Sequence, residues 1–189
     1  MKKVNHTLVV LLIVGVLSAM NGVIAQGKYI DKTGNIAFEA SEELFEPVKA
    51  KNESVTVILN TETSEIAALA LMKSFRFKNS LMEEHFNENY IESETFPKAT
   101  FKGKLTDFSF SDLTEQDRDI TVNGTIELRG KEKQIQTILK VKKSTDAAIE
   151  IKGLFIVTPE DFDIDIPSVV RNKIAKEIIV SLDFKLVKR

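Results

Sequence analysis

Apolar and polar residues alternate with a period of two through most of the 189-residue chain beyond its first 25 positions. No other feature restricts the fold as much, because a two-residue period places one set of side chains on one face of a strand and the other set on the opposite face. Val55, Val57 and Leu59 share a face in Ser54–Leu59, and the cluster Asn60-Thr61-Glu62-Thr63 ends that strand. A largely apolar partner follows over Glu65–Met72. In Asp119–Arg129, Val122, Gly124, Ile126 and Leu128 oppose Thr121, Asn123, Thr125, Glu127 and Arg129. Gly130-Lys131 turns the chain. Ile135, Thr137, Leu139 and Val141 then oppose Gln134, Gln136, Ile138 and Lys140. The pattern recurs with Ile149, Ile151, Gly153 and Phe155, and again with Ile178, Val180, Leu182, Phe184 and Leu186. A shorter strand is expected over Asn35–Ala40. One dry and one wet face per strand is the signature of antiparallel sheets, and short connections make neighbours pair as hairpins. About eight strands are expected, enough for a sheet to close on itself and hold one small ligand. The expected fold is therefore all-β, an antiparallel barrel with one or two short helices near its mouth. An outer-membrane barrel would carry aromatic girdles, and the chain has no Trp and two Tyr.

Composition removes whole classes of chemistry. There is no Cys, so disulfides, thiolate nucleophiles and zinc-thiolate sites are excluded, and the two His cannot build a multi-histidine metal centre. With 26 Lys and Arg against 28 Asp and Glu, the net charge of −2 lacks the basic footprint of a nucleic-acid binder. No phosphate-cradling Gly loop and no Gly-x-Ser-x-Gly occurs. Asp161, Asp163 and Asp165 alternate, but they lack the Gly and the terminal Glu of a calcium loop and read as a solvated face. No cofactor and no metal is expected.

The first 25 residues read as an address. Lys2 and Lys3 precede the apolar run Leu8–Leu17, and Val23-Ile24-Ala25 ends in a small residue before Gln26. That is the layout of a secretory signal with cleavage near Ala25, and the run is far short of the roughly 20 residues of a membrane span. The expected division is a signal over 1–25 and one barrel domain over 26–189, periplasmic or secreted, with no stable membrane span after cleavage.

One stretch breaks the strand rhythm. Ser80-Leu81-Met82-Glu83 has the form of a capping box, which predicts a short helix to about Asn89 with Leu81, Met82, His85, Phe86 and Tyr90 at the spacing of a single face. A second irregular stretch is Thr158–Asp163, and Pro167–Lys176 reads as a loop with a short helix.

Three segments carry a family resemblance. The run Ser74–Gly103 contains Leu81-Met82-Glu83-Glu84-His85-Phe86, then Thr95-Phe96-Pro97-Lys98-Ala99-Thr100-Phe101-Lys102-Gly103. It resembles the acidic His-containing helix, and the aromatic-Pro step into a strand, of the YceI-like family of secreted bacterial proteins. Val122–Lys131 resembles that family's GxLxxxGxxK hairpin. Phe155–Ile164 resembles its late F…R.DFG segment, with Thr158-Pro159-Glu160 in place of the basic residue and Asp163 in place of the Gly. Near the start Tyr29-Ile30-Asp31 is kept, while Gly34-Asn35 stands where members have His-Ser. The resemblance implies a lipocalin-like barrel with an elongated apolar cavity for a polyisoprenoid or a similar amphiphilic chain.

Such a ligand needs a dry tube, a mouth and one or two polar contacts rather than a catalytic group. At roughly 0.8 kcal/mol per buried methylene, a long chain has apolar area to spare, so the tube's width and length select the ligand. The side chains expected to line the tube are Val57, Leu59, Leu69, Phe77, Phe101, Ile126, Leu128, Leu139, Ile151, Phe155 and Leu182, with Met82, His85 and Phe86 at the mouth. The expected function is a periplasmic carrier of a polyisoprenoid, quinone or fatty-acyl lipid, not an enzyme, since His85 has no predictable nucleophile beside it. The competing expectation is an envelope interaction module with a solid barrel and no ligand. Sequence leaves a monomer and a homodimer both open.

Overall fold

The computed structural model describes residues 27–42, 45–145 and 147–189. The expected signal over 1–25 lies outside the described residues. Eight long strands form a closed antiparallel barrel. They are β1 (Lys28–Ser41), β2 (Lys49–Asn60), β3 (Glu65–Leu71), β5 (Lys98–Leu105), β6 (Arg118–Leu128), β7 (Lys131–Thr145), β8 (Ala148–Val157) and β9 (Ile174–Lys188), with a two-residue β4 (Arg76–Phe77) between β3 and β5. Neighbours run β1-β9-β8-β7-β6-β5-β3-β2, and β2 pairs with β1 to close the ring, while β4 adds to β2 through Ala50–Phe77. Closure removes the sheet edges that would otherwise pair with other chains.

The first strand is longer than the expected Asn35–Ala40. Lys32, Thr33 and Gly34 interrupt its alternation, because the β1–β2 register shifts between Asp31 and Ile36. Asp31, 6% exposed, holds the shift: its carboxylate accepts from the Thr33 amide at 2.8 Å and from the Lys185 amide at 2.8 Å. At the other end of β2, buried Asn52 donates to the Leu71 carbonyl at 3.0 Å and accepts from the Ser54 amide at 2.9 Å. These buried polar groups are thus satisfied where the ladder is irregular.

The helix also differs from its expected form. Asn79, not Ser80, is the N-cap, its side-chain oxygen accepting from Leu81 and Met82, and α1 (Ser80–His85) continues into a wider-pitched turn over Phe86–Tyr90. Glu83 turns away from the cap; it accepts from the Phe77 amide at 3.1 Å and pairs with Arg76 at 2.8 Å. Leu81 is 55% exposed and off the buried face. Within the irregular stretch Thr158–Asp163, Pro159–Phe162 is a tight 3-10 turn with a Thr158/Asp161 capping box, and Arg171–Lys173 forms another such turn before β9.

The barrel interior has two unlike halves. In the lower half, Val55, Val57, Leu59, Leu105, Ile120, Val141, Ile149, Ile151 and Leu186 are each 3% exposed or less. The β5–β6 loop closes that end with Leu113 and Phe110, whose ring stands 5.4 Å from that of Tyr29. Each such aliphatic group contributes roughly 1.5–3 kcal/mol by leaving water. The upper half, towards the β1–β2 loop, α1 and the β8–β9 loop, is hollow.

Candidate functional site

The hollow half is a cavity of about 520 Å³. Its walls are the inward residues of the upper barrel: Ile36 and Phe38 from β1, Ala68 and Ala70 from β3, Ala99 and Phe101 from β5, Ile126 and Leu128 from β6, Ile135 and Thr137 from β7, Phe155 and Val157 from β8, and Ile178, Val180 and Leu182 from β9. Strand periodicity alone puts them there, since each alternates with a residue on the outer wall. Many of these walls are only partly buried although they point inward, because they border space rather than packed neighbours. Phe38, Phe75, Phe77 and Phe86 pack α1 against the barrel top, with five ring pairs between 5.1 and 5.8 Å. Among the described residues the ionisable side chains of Glu, His and Lys lining the cavity are Glu46, His85 and Lys173, all at the upper end. The exposed Phe45, His85 and Lys173 belong to the lining, so the cavity opens between the β1–β2 loop, α1 and the β8–β9 loop.

Floor geometry depends on two glycines. Gly103 and Gly124 face each other across β5 and β6, and the Phe101 ring lies over both. A Cβ on Gly124 would stand 2.5 Å from that ring and 2.5 Å from the Lys102 carbonyl oxygen. The glycines make the groove into which Phe101 folds, and Phe101 thereby bounds the open volume.

The rim is clasped by charge. Arg129, in the left-handed region at φ 51°, pairs with Glu92 and donates to the Asp163 carbonyl at 2.6 Å. Glu92 and Asp163 also have positive φ, 54° and 53°. Lys131 pairs with Asp163 at 2.6 Å and Lys133 with Asp161. Two connecting segments, the one after α1 and the β8–β9 loop, thus meet on the β6–β7 hairpin. Burial works to raise the Asp161 carboxyl, but the Lys133 ammonium and the Thr158 amide and hydroxyl outweigh it and hold it below its ordinary value. Lys131 lowers Asp163 in the same sense. Asp165 pairs with Arg171 at 3.7 Å. The three aspartates therefore have separate cations and form no common site. Among the described residues no group of three or more His, Asp and Glu is placed to hold a metal ion.

Of the side chains expected to line a tube, Phe77, Met82, His85, Phe86, Phe101, Ile126, Leu128, Leu139, Phe155 and Leu182 border this cavity. Val57, Leu59 and Ile151 point inward but lie in the packed lower half, at 0% exposure. Leu69 faces outside, 36% exposed, opposite Thr56 and Thr100, because Ile66, Ala68 and Ala70 take the inner positions of β3. In an apolar run such as Ala67-Ala68-Leu69-Ala70-Leu71, size misleads: Ala68 and Ala70 face in and leave room, while both leucines face out. Sequence reasoning missed Phe38, Phe162 and Ile164 of the lining. Phe162 is 1% exposed and roofs one side of the cavity against Ile126 and Val157. Its late position in an irregular loop gave no periodic signal. Among the described residues no helix is long and apolar enough to cross a membrane.

Comparison with known proteins agrees with this architecture. A model of the YceI-like domain matches residues 29–186. No curated protein matches the chain. A solved polyisoprenoid-binding domain from Saccharophagus degradans, implicated in plant cell wall breakdown, superposes with a TM-score of 0.75 at 15% identity, covering 87% of this chain and 99% of that one. BcnA of Burkholderia cenocepacia does so at 0.66 and 12%, covering 82% and 96%. A YCEI protein of Campylobacter jejuni gives 0.62 and 11%, covering 77% and 87%. At such identities the likeness is one of fold.

Proposed function

The chain belongs to the YceI-like family, and from that premise we propose that it is a binding protein that holds a long-chain amphiphile, such as a polyisoprenoid, a quinone or a fatty-acyl lipid, in its upper cavity, and that it acts as a carrier in the periplasm or outside the cell. The observation that supports this most is the cavity itself. Its roughly 520 Å³ lies within the span of about 300–1,000 Å³ common for small-molecule sites, and its walls carry almost no charge. Aliphatic and phenyl walls favour a hydrocarbon tail and offer a polar head little below the rim, where the Thr137 hydroxyl already donates to the Leu154 carbonyl. At the rim, His85, Lys173, Glu46 and the Tyr90 hydroxyl are the groups within reach of a head. The Met82 thioether adapts to a flexible chain passing the mouth.

The apolar half-run at the start of the chain supports an exported location. The alternative of an envelope module with a solid barrel fits poorly with a hollow upper half. Native mass spectrometry of the protein purified gently from its own host, followed by lipid extraction, tests the reading. An adduct of several hundred daltons that partitions into organic solvent is expected. Protein free of any adduct, which also takes up no prenyl or acyl chain from detergent micelles, would overturn it.

A further inference from the structure

The barrel wall is apolar on both sides in one sector. Gly153-Leu154-Phe155-Ile156-Val157 of β8 and Ile178-Ile179-Val180 of β9 interrupt the alternation seen elsewhere, so that Phe155, Val157, Ile178 and Val180 line the cavity while Leu154, Ile156 and Ile179 stand outside. The register makes the outer residues one patch. Ile156 pairs with Ile179, and Ile138 on β7 lies level with Leu154 on β8, one step above the paired Leu139 and Gly153. Ile138 and Leu154 are 59% and 58% exposed. A sheet that is apolar on both faces belongs where both faces are covered.

We infer that this outer patch docks on a lipid bilayer surface, which places the cavity wall against the source of the tail. The inference rests on the carrier reading, because a tail that crosses water between bilayer and cavity loses roughly 0.8 kcal/mol per exposed methylene. Three features favour a bilayer over a second copy of the chain. The patch is too small for a stable dimer, which needs about 800 Å² and 20–30 residues a side, whereas interfacial binding needs a few inserted apolar groups with cations beside them. Its lower border is the row Lys140–Lys152–Asp183, two residues below Ile138, Leu154 and Ser181 and on the same outer face. The two lysines are more than half exposed, in surface pairs with Asp119 at 3.0 Å and Asp183 at 3.3 Å that exchange readily for lipid phosphates. Their long stems let the ammonium groups stay at headgroup level while the isoleucines enter. Finally, the patch is continuous with the mouth. β8 runs from Ile156 into the loop that roofs the cavity, and that loop carries Val169, 79% exposed, beside the cavity-lining Val170.

Flotation of the purified protein with vesicles of phosphatidylethanolamine and phosphatidylglycerol tests this. The wild type should float, and should do so less at high salt. The triple change Ile138→Thr, Leu154→Thr and Ile156→Thr, on outward positions that suit a β-branched residue, should lower vesicle binding at least about tenfold, a loss of 1.4 kcal/mol or more. The pair Lys140→Gln and Lys152→Gln should remove the salt dependence. Uptake of a prenyl alcohol from detergent micelles should be unchanged in all of them. A triple variant that still floats overturns the inference. So does a wild type that stays in the aqueous phase but forms a dimer which the triple variant lacks. Flotation without uptake from micelles supports the docking face and overturns the carrier reading instead.

Discussion

Individual residues in this barrel are tuned either to fill space or to border it, and the difference is measurable. Leu59 is 0% exposed in the packed half, so Leu59→Ala removes methyl groups and leaves a void, at a cost of about 2–5 kcal/mol. Phe155 has the larger side chain but faces the cavity, where its loss only enlarges a space that exists already. Phe155→Ala is expected to cost less than Leu59→Ala, and less than the roughly 3–5 kcal/mol typical of a packed Phe; urea denaturation of the two variants checks the order. Gly124 shows the opposite limit. A methyl group there meets the Phe101 ring and the Lys102 carbonyl oxygen at 2.5 Å, so Gly124→Ala should cost about 1–3 kcal/mol by forcing the ring from its groove. The same variant should alter tail uptake, because Phe101 is part of the cavity wall.

At the scale of elements, the rim behaves as a clasp built from the β6–β7 turn. Its Arg129 guanidinium ties Glu92, after α1, to Asp163, in the β8–β9 loop, and all three hold positive φ angles that side chains rarely adopt without compensation. Arg129→Asn tolerates the left-handed turn but cannot span the gap. Hydrogen exchange at 158–166 should then quicken while the barrel strands keep their protection. The Lys133–Asp161 tie adds a pH dependence of definite sign. The Asp161 carboxyl is held below its ordinary value in the folded state, so its contribution is complete above the unfolded value and is lost as pH falls through the folded one. Stability measured from about pH 4 downward should therefore fall more steeply for the wild type than for Asp161→Asn. These loops were the least legible part of the chain. Strands β6 to β9 could be read directly, because along most of their length an apolar inner face alternates with a polar outer one; only the sector around Leu154, Ile156 and Ile179 is apolar on both. The length of β1 could not, since the Asp31 side chain supports a register shift that looks like a loop in sequence. The helix was foreseen, but with its cap one residue late. Ser80 and Asn79 are both good caps, and the contacts of Glu83 with Arg76 and Phe77, which decide between them, are tertiary.

The whole molecule is a barrel filled below and hollow above, and that asymmetry is what a single sequence reveals least. Alternation tells which residues face inward. It does not tell how far across the barrel their neighbours stand, so Val57, Leu59 and Ile151 read the same as Phe101 and Phe155 although the first three are packed solid. Leu69 was misplaced because its run is apolar on both faces and the smaller Ala68 and Ala70 occupy the inner side. Those alanines suggest the most direct test of the central claim. Ala68→Phe inserts a ring into the cavity from a wall position that borders open space, so the fold should keep its stability while the tail loses its room. If the account is right, native mass spectrometry will show the amphiphile adduct on the wild type and its loss on the Ala68→Phe protein, with both unfolding at similar urea concentrations. An adduct retained undiminished by a folded Ala68→Phe protein would contradict it, because the ligand would then be held somewhere other than the cavity.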